Sequence, residues 1–132
     1  MLELHGWITV REPYEYDDDD DDFLDDIVKN VELMIQGFNW GSGILQLNYF
    51  NGIPTITIAI QSNRKTSEVS DVFELCEYLK INASGSYGLI YMHDDEDLEG
   101  NQNNFIAYIL ARGELRQEID TYLSPCIPRI EK

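Results

Sequence analysis

Basic residues are scarce in this chain. Nine Lys and Arg stand against 25 Asp and Glu over 132 residues, a formal net charge of −16. Phosphate backbones and anionic bilayers are poor partners for such a surface, so neither nucleic acid nor membrane is expected. Long apolar runs are missing too: nothing approaches the ~20 residues that span a bilayer. The start, Met1-Leu2-Glu3-Leu4-His5, has neither the basic region nor the apolar stretch of a signal peptide, so the expected compartment is the cytoplasm. Cysteine and histidine number two each. Cys76 and Cys126 form no CxxC pair and have no His at zinc spacing, so both are expected as free thiols in a reducing compartment. One His beside a few carboxylates falls short of the three protein ligands of a catalytic zinc site. The chain has no P-loop, no GxGxxG and no GxSxG, and neither Ser124 nor Cys126 has the context of a nucleophile. The reading is therefore a non-enzyme with no metal and no cofactor.

The acids that are present are concentrated. Glu12 to Asp26 carries ten of them with no base, and Asp94 to Glu99 carries five with no base. The remaining ten acids face nine Lys and Arg, so the rest of the chain is close to neutral. Charge held in two runs suits a basic protein partner, which it would attract and orient.

Hydrophobic residues make up 43% of the chain, enough for one domain over residues 1–132. Residues 2–11 alternate, with Leu2, Leu4, Ile8 and Val10 on one face and His5 and Trp7 on the other, which predicts a strand. Residues 12–22 read as an exposed acidic loop. The stripe Leu24, Ile27, Val28, Val31, Met34, Ile35 and Phe38 predicts a helix over 23–38, with Asp22 as its N-cap. Ile44 to Phe50 and Ile53 to Gln61 read as strands joined at Asn51-Gly52, since both residues tolerate positive φ. A second helix is predicted over 67–82, burying Val69, Val72, Phe73, Cys76 and Leu79. Strands follow at Tyr87 to His93 and Phe105 to Arg112, with a short element near Leu115 to Ile119. Prolines make residues 120–132 an extended tail, and its apolar residues suggest that it is pinned to the body. The order β-α-β-β-α-β-β implies an α+β fold: a largely antiparallel sheet with both helices on one face, compatible with a ferredoxin-like arrangement.

Two segments are candidates for partner contact. The first is Tyr14 and Tyr16 with Asp17, Asp18, Asp19, Asp20, Asp21 and Asp22, because a helix start does not need Asp17 to Asp20 and Tyr favours interface hot spots. The second is His93 with Asp94, Asp95, Glu96 and Asp97. Set against a calcium loop, Asp95, Asp97, Glu99 and Gly100 fill the first, third, fifth and sixth places. The twelfth, which needs a bidentate Glu, is Ile106. In a ferredoxin-like arrangement the two acidic segments lie at opposite ends of the sheet. Tyr87, Leu89, Tyr91 and His93 share a strand face, which becomes an exposed patch if no helix covers it.

Four strings carry a resemblance. Leu4-His5-Gly6-Trp7-Ile8 is followed by Gly85-Ser86-Tyr87-Gly88-Leu89-Ile90-Tyr91 with Asp94-Asp95-Glu96-Asp97. Then come Tyr108-Ile109-Leu110-Ala111-Arg112-Gly113 and Leu123-Ser124-Pro125-Cys126-Ile127-Pro128. In this order they resemble the immunity protein 7 family of bacterial polymorphic toxin systems. The resemblance implies a cytoplasmic antidote, encoded beside a toxin, that binds the toxin and catalyses nothing. The run Asp17 to Asp22 departs from the family pattern. The alternative function is an acidic adaptor or calcium-responsive module.

Overall fold

The computed structural model describes residues 1–13, 21–38, 40–63 and 67–127. The elements run β1 (Leu2–Thr9), α1 (Asp21–Gly37), β2 (Ile44–Phe50), β3 (Ile53–Ser62), α2 (Ser67–Asn82), β4 (Tyr87–Asp94), β5 (Ile106–Ala111) and β6 (Glu114–Ile119). They form an α+β fold with one six-stranded sheet in the order β2-β3-β1-β4-β5-β6. Every ladder is antiparallel. Because β3 is antiparallel to both β1 and β2, those two run parallel with β3 between them. In the same way β1 separates β3 and β4. Each helix therefore joins parallel strands across an intervening one, the split βαβ connection.

One face of the sheet carries the core. Leu4 pairs with Ile60 and Met92, and Ile8 pairs with Ile56 and Gly88. Ile27 and Val31 of α1 and Leu75, Cys76 and Leu79 of α2 join Leu4, Ile56, Ile58 and Ile90 in one buried cluster. Both helices thus lie on the same side. Each fully buried Leu or Ile contributes about 1.5–3 kcal/mol, so this cluster is the main stabilising term. The anticipated core positions Leu24 and Phe73 are half-buried against it, and Leu75, absent from the predicted stripe of α2, is fully buried. Phe73 instead packs edge-on to Tyr108, ring centroids 4.8 Å apart.

Turn chemistry fixes the register. Asn51 and Gly52 have φ of 53° and 78°, as a two-residue hairpin with the right-handed twist requires. Gly88 lies opposite Ile8 in the centre of the sheet, where any Cβ would run into the Trp7 carbonyl and the Ile8 backbone. That close approach keeps β1 and β4 paired beside Trp7.

Helix α1 starts at Asp21, one residue before the anticipated cap, so Asp22 lies inside the helix. The tail is pinned by a narrow set of bonds. Phe105 N donates to Ser124 Oγ (2.9 Å), Cys126 N to Asn103 O (2.8 Å), and Asn103 Nδ2 to Ile127 O (2.9 Å). Among the described residues no helix is long and apolar enough to cross a membrane.

Candidate functional site

Among the described residues no helix lies over the other face of the sheet. Strand registers assemble it row by row. One row runs Gln46–Thr57–Trp7–Leu89–Ile109–Arg116, and the next runs Ile44–Ala59–His5–Tyr91–Ala107–Glu118. Period-2 alternation puts these residues there: each is the neighbour of a core residue in its own strand. In these rows Trp7, Leu89, Tyr91 and Ile109 stand beside Thr57 and His5, and charge enters at the β6 edge; the adjoining row adds Glu3 and His93. Trp7 remains 42% exposed and Tyr87 39%, although both sit on a formed sheet. Their rings meet edge to face, centroids 6.0 Å apart at 87°. Phe50 and Ile53 continue the same side past the β2–β3 hairpin and are exposed as well. A large Trp held open, with Tyr87, Leu89 and Tyr91 around it, is the composition of an interface centre.

The two histidines also lie on this face, one residue pair apart: His5 pairs with Tyr91 and His93 with Glu3. Each has its own partner. His5 Nε2 donates to Glu3 Oε1 (2.7 Å), and His93 Nε2 donates to the Gln102 carbonyl (2.7 Å). His93 also stacks at a tilt on Phe105, centroids 5.3 Å apart. Both imidazoles are thus tied to neighbours that hold the end of the sheet.

The second acidic segment leaves β4 at the end where β1 begins. Two of its five carboxylates, Asp94 and Asp97, hold backbone amides of the same segment. Asp94 Oδ1 accepts from Glu96 N, and Asp97 Oδ2 accepts from both Glu99 N and Asn101 N, each at 3.0 Å. Asp95 pairs with the Met1 ammonium, which raises the pKa of that amine, chiefly through the hydrogen bond. Among the described residues no three His, Cys, Asp or Glu groups come together in a way that could hold a metal ion. Glu96 and Glu99 stay exposed, and between them Leu98 is 99% exposed. The segment borders a cleft of about 410 Å³ on the helix side, lined also by Met92, Ile106, Tyr108 and Gln117. The Tyr108 hydroxyl is raised above its ordinary pKa by burial first and by the Asp97 and Glu99 carboxylates after it.

Of the first acidic segment, Tyr14, Tyr16 and Asp17 to Asp20 lie outside the described residues. Asp21 and Asp22 open α1, and their side chains are likewise outside the description. The flanking residues do fix where the segment attaches. Thr9 pairs with Tyr87 at the start of β4, whereas Asp94 pairs with Leu2. Leu24 of α1 shares a pocket with Thr9, Val10 and Tyr87. The attachment points of the two acidic segments are therefore separated by the length of β1, about 24 Å at 3.4 Å per residue.

The open aromatic face was legible in the sequence only conditionally, since alternation marks two faces without saying which one the helices leave bare. Ile109 and Thr57 carry no signal of their own, and the register alone places them beside Trp7.

A family model described as Immunity protein 7 matches residues 1–132. No curated protein and no solved structure matches the chain.

Proposed function

The chain belongs to the immunity protein 7 family, and from that premise we propose that it neutralises a cognate toxin by binding, without catalysis, in the cytoplasm. The open sheet face is the docking surface, centred on Trp7, Tyr87, Leu89 and Tyr91. The observation that carries this is the exposure of Trp7, edge-on to the exposed Tyr87 and beside Leu89, on the face away from both helices. Interface centres are aromatic and depleted in charge, with charge at their margins. Occupying the toxin's working surface with this face is steric occlusion.

The acidic segments serve a different step. A net charge of −16, concentrated near Glu12–Asp26 and Asp94–Glu99, draws a basic toxin in before contact. Tyr14, Tyr16 and Asp17 to Asp22 are the main steering segment. His93 and Asp94 to Asp97 form the second, with Glu96 and the adjoining Glu99 exposed while Asp94 and Asp97 hold backbone amides and Asp95 holds the Met1 ammonium.

The test is protection. Cells expressing the toxin survive with the wild-type chain and lose viability with the Trp7→Ala/Tyr91→Ala double variant, which circular dichroism should find folded. Full protection by that folded variant would remove the open face from the interface.

A further inference from the structure

The sheet has two edges, and they are built differently. The β6 edge, Glu114-Leu115-Arg116-Gln117-Glu118-Ile119, carries three charged residues in six. Charge on an edge strand is a standard means of keeping another strand away. The β2 edge, Ile44-Leu45-Gln46-Leu47-Asn48-Tyr49-Phe50, is seven residues long and has no charge, no Pro and no Gly. In a chain that is 26% charged, that edge lacks the usual protection. Its inner side pairs with β3 along its whole length. Among the described residues no further backbone hydrogen bond reaches residues 44–50. An antiparallel edge strand turns alternate N–H and C=O pairs outward, and these groups can be satisfied by water or by an extended backbone.

Beside this edge runs a cleft of about 250 Å³ between β2 and α1, lined by Glu32, Ile35 and Gln36 of α1 and by Leu45 to Asn48 of β2, with Leu45 and Leu47 on the helix side of the strand. A strand laid along β2 would place alternate side chains into this cleft and the others beside Gln46 and Asn48 on the open face. We infer that β2 is a β-augmentation site that receives one extended segment of the toxin, with apolar and basic side chains alternating.

Charge decides between the two obvious occupants. A second copy of this chain would also carry a net −16, so the two copies repel one another as wholes, and pairing along β2 would bring Glu32 of each toward the other, so self-pairing is opposed. A basic strand gains from the same field and from Glu32 beside the cleft. The added strand also widens the sheet next to the row that begins at Gln46, so edge and open face form one continuous surface.

This inference rests on the toxin-binding reading, and the experiment separates the two. The wild-type chain is mixed with a catalytically dead variant of the toxin encoded beside its gene, and amide hydrogen exchange is followed strand by strand. Complex formation with slowed exchange over 44–50 and unchanged exchange over 114–119 supports the edge site. Complex formation with unchanged exchange over 44–50 overturns the edge site and leaves toxin binding standing. Absence of a complex overturns both. Protection of 44–50 in the chain alone, rising with concentration together with a dimer mass, assigns the edge to a second copy and overturns the inference. The Gln46→Lys/Asn48→Lys variant, changed at two exposed positions, should lose about tenfold or more in affinity. Gln46→Thr/Asn48→Thr keeps a strand-favouring, uncharged edge and should stay within about threefold. Equal affinity for the Lys and Thr variants would also overturn the site.

Discussion

Trp7 and Tyr87 meet edge to face, at 87° and 6.0 Å between centroids, on the side of the sheet that neither helix covers. The pair spans β1 and β4, so its geometry depends on the tight Gly88 crossing beneath it. Neither ring is needed to fill the core, whose residues all point the other way.

Replacing Trp7 with Ala should therefore separate binding from folding. Toxin affinity should fall by about 2 kcal/mol or more, on the order of thirtyfold in Kd. Folding stability should change by only about 1 kcal/mol, because the side chain is 42% exposed. Calorimetric titration beside denaturant unfolding checks both numbers. A loss of stability as large as the loss of affinity would mark Trp7 as structural.

Asn at Asp17 to Asp20 should slow toxin association at low salt and leave dissociation nearly unchanged. The difference should shrink toward physiological ionic strength, where the screening length is about 8 Å. Stopped-flow association at two salt concentrations measures it. Equal rates at low salt would rule out steering by this segment.

Asp97 should behave unlike the exposed Glu96. Its carboxylate holds the amides of Glu99 and Asn101. Asp97→Ala should cost about 1–2 kcal/mol of stability and speed amide exchange at those two residues. Glu96→Gln should do neither. Unaltered exchange in Asp97→Ala would mean that the turn is held by other bonds.

Alkaline pH should weaken the fold through Cys76. Burial first, and Glu77 after it, push its thiol up to about 12 against an ordinary 9.0, with Lys80 opposing. Below pH 9 the thiol is protonated in both folded and unfolded chains, and its contribution is fully present. Above 9 the unfolded chain loses this proton first, so stability declines as pH rises toward 12. Unfolding free energies at pH 8 and 10 should fall less steeply in Cys76→Ala than in the wild type. In the folded chain Cys126, only partly buried, should react with a thiol reagent before Cys76. Faster labelling of Cys76 would contradict its burial.

The sequence by itself determined the local elements. Period-2 alternation in Leu2, Leu4, Ile8 and Val10 and 3.6-residue stripes in both helices survive into the fold because each pattern gathers its aliphatic residues on one side of the element. Asn51-Gly52 fixed the β2–β3 hairpin through its backbone freedom. What the pattern left open was where the elements meet. Phe73 and Leu75 both suit the apolar side of α2, and only the packing of α2 on the sheet put Leu75 at full burial and turned Phe73 toward Tyr108. The same holds for the candidate site. Alternation gives Trp7, Leu89 and Tyr91 a common side within their strands, but long-range pairing decided that they share one row or the next. The placement of both helices on the opposite face decided that neither helix covers this side. The acid runs were plain in composition, yet which carboxylates face solvent depended on turns such as Asp97's, where backbone amides compete with water for the same oxygen. Strand order alone made β2 an edge, and that order is set by contacts between residues far apart in the chain, which no local pattern encodes.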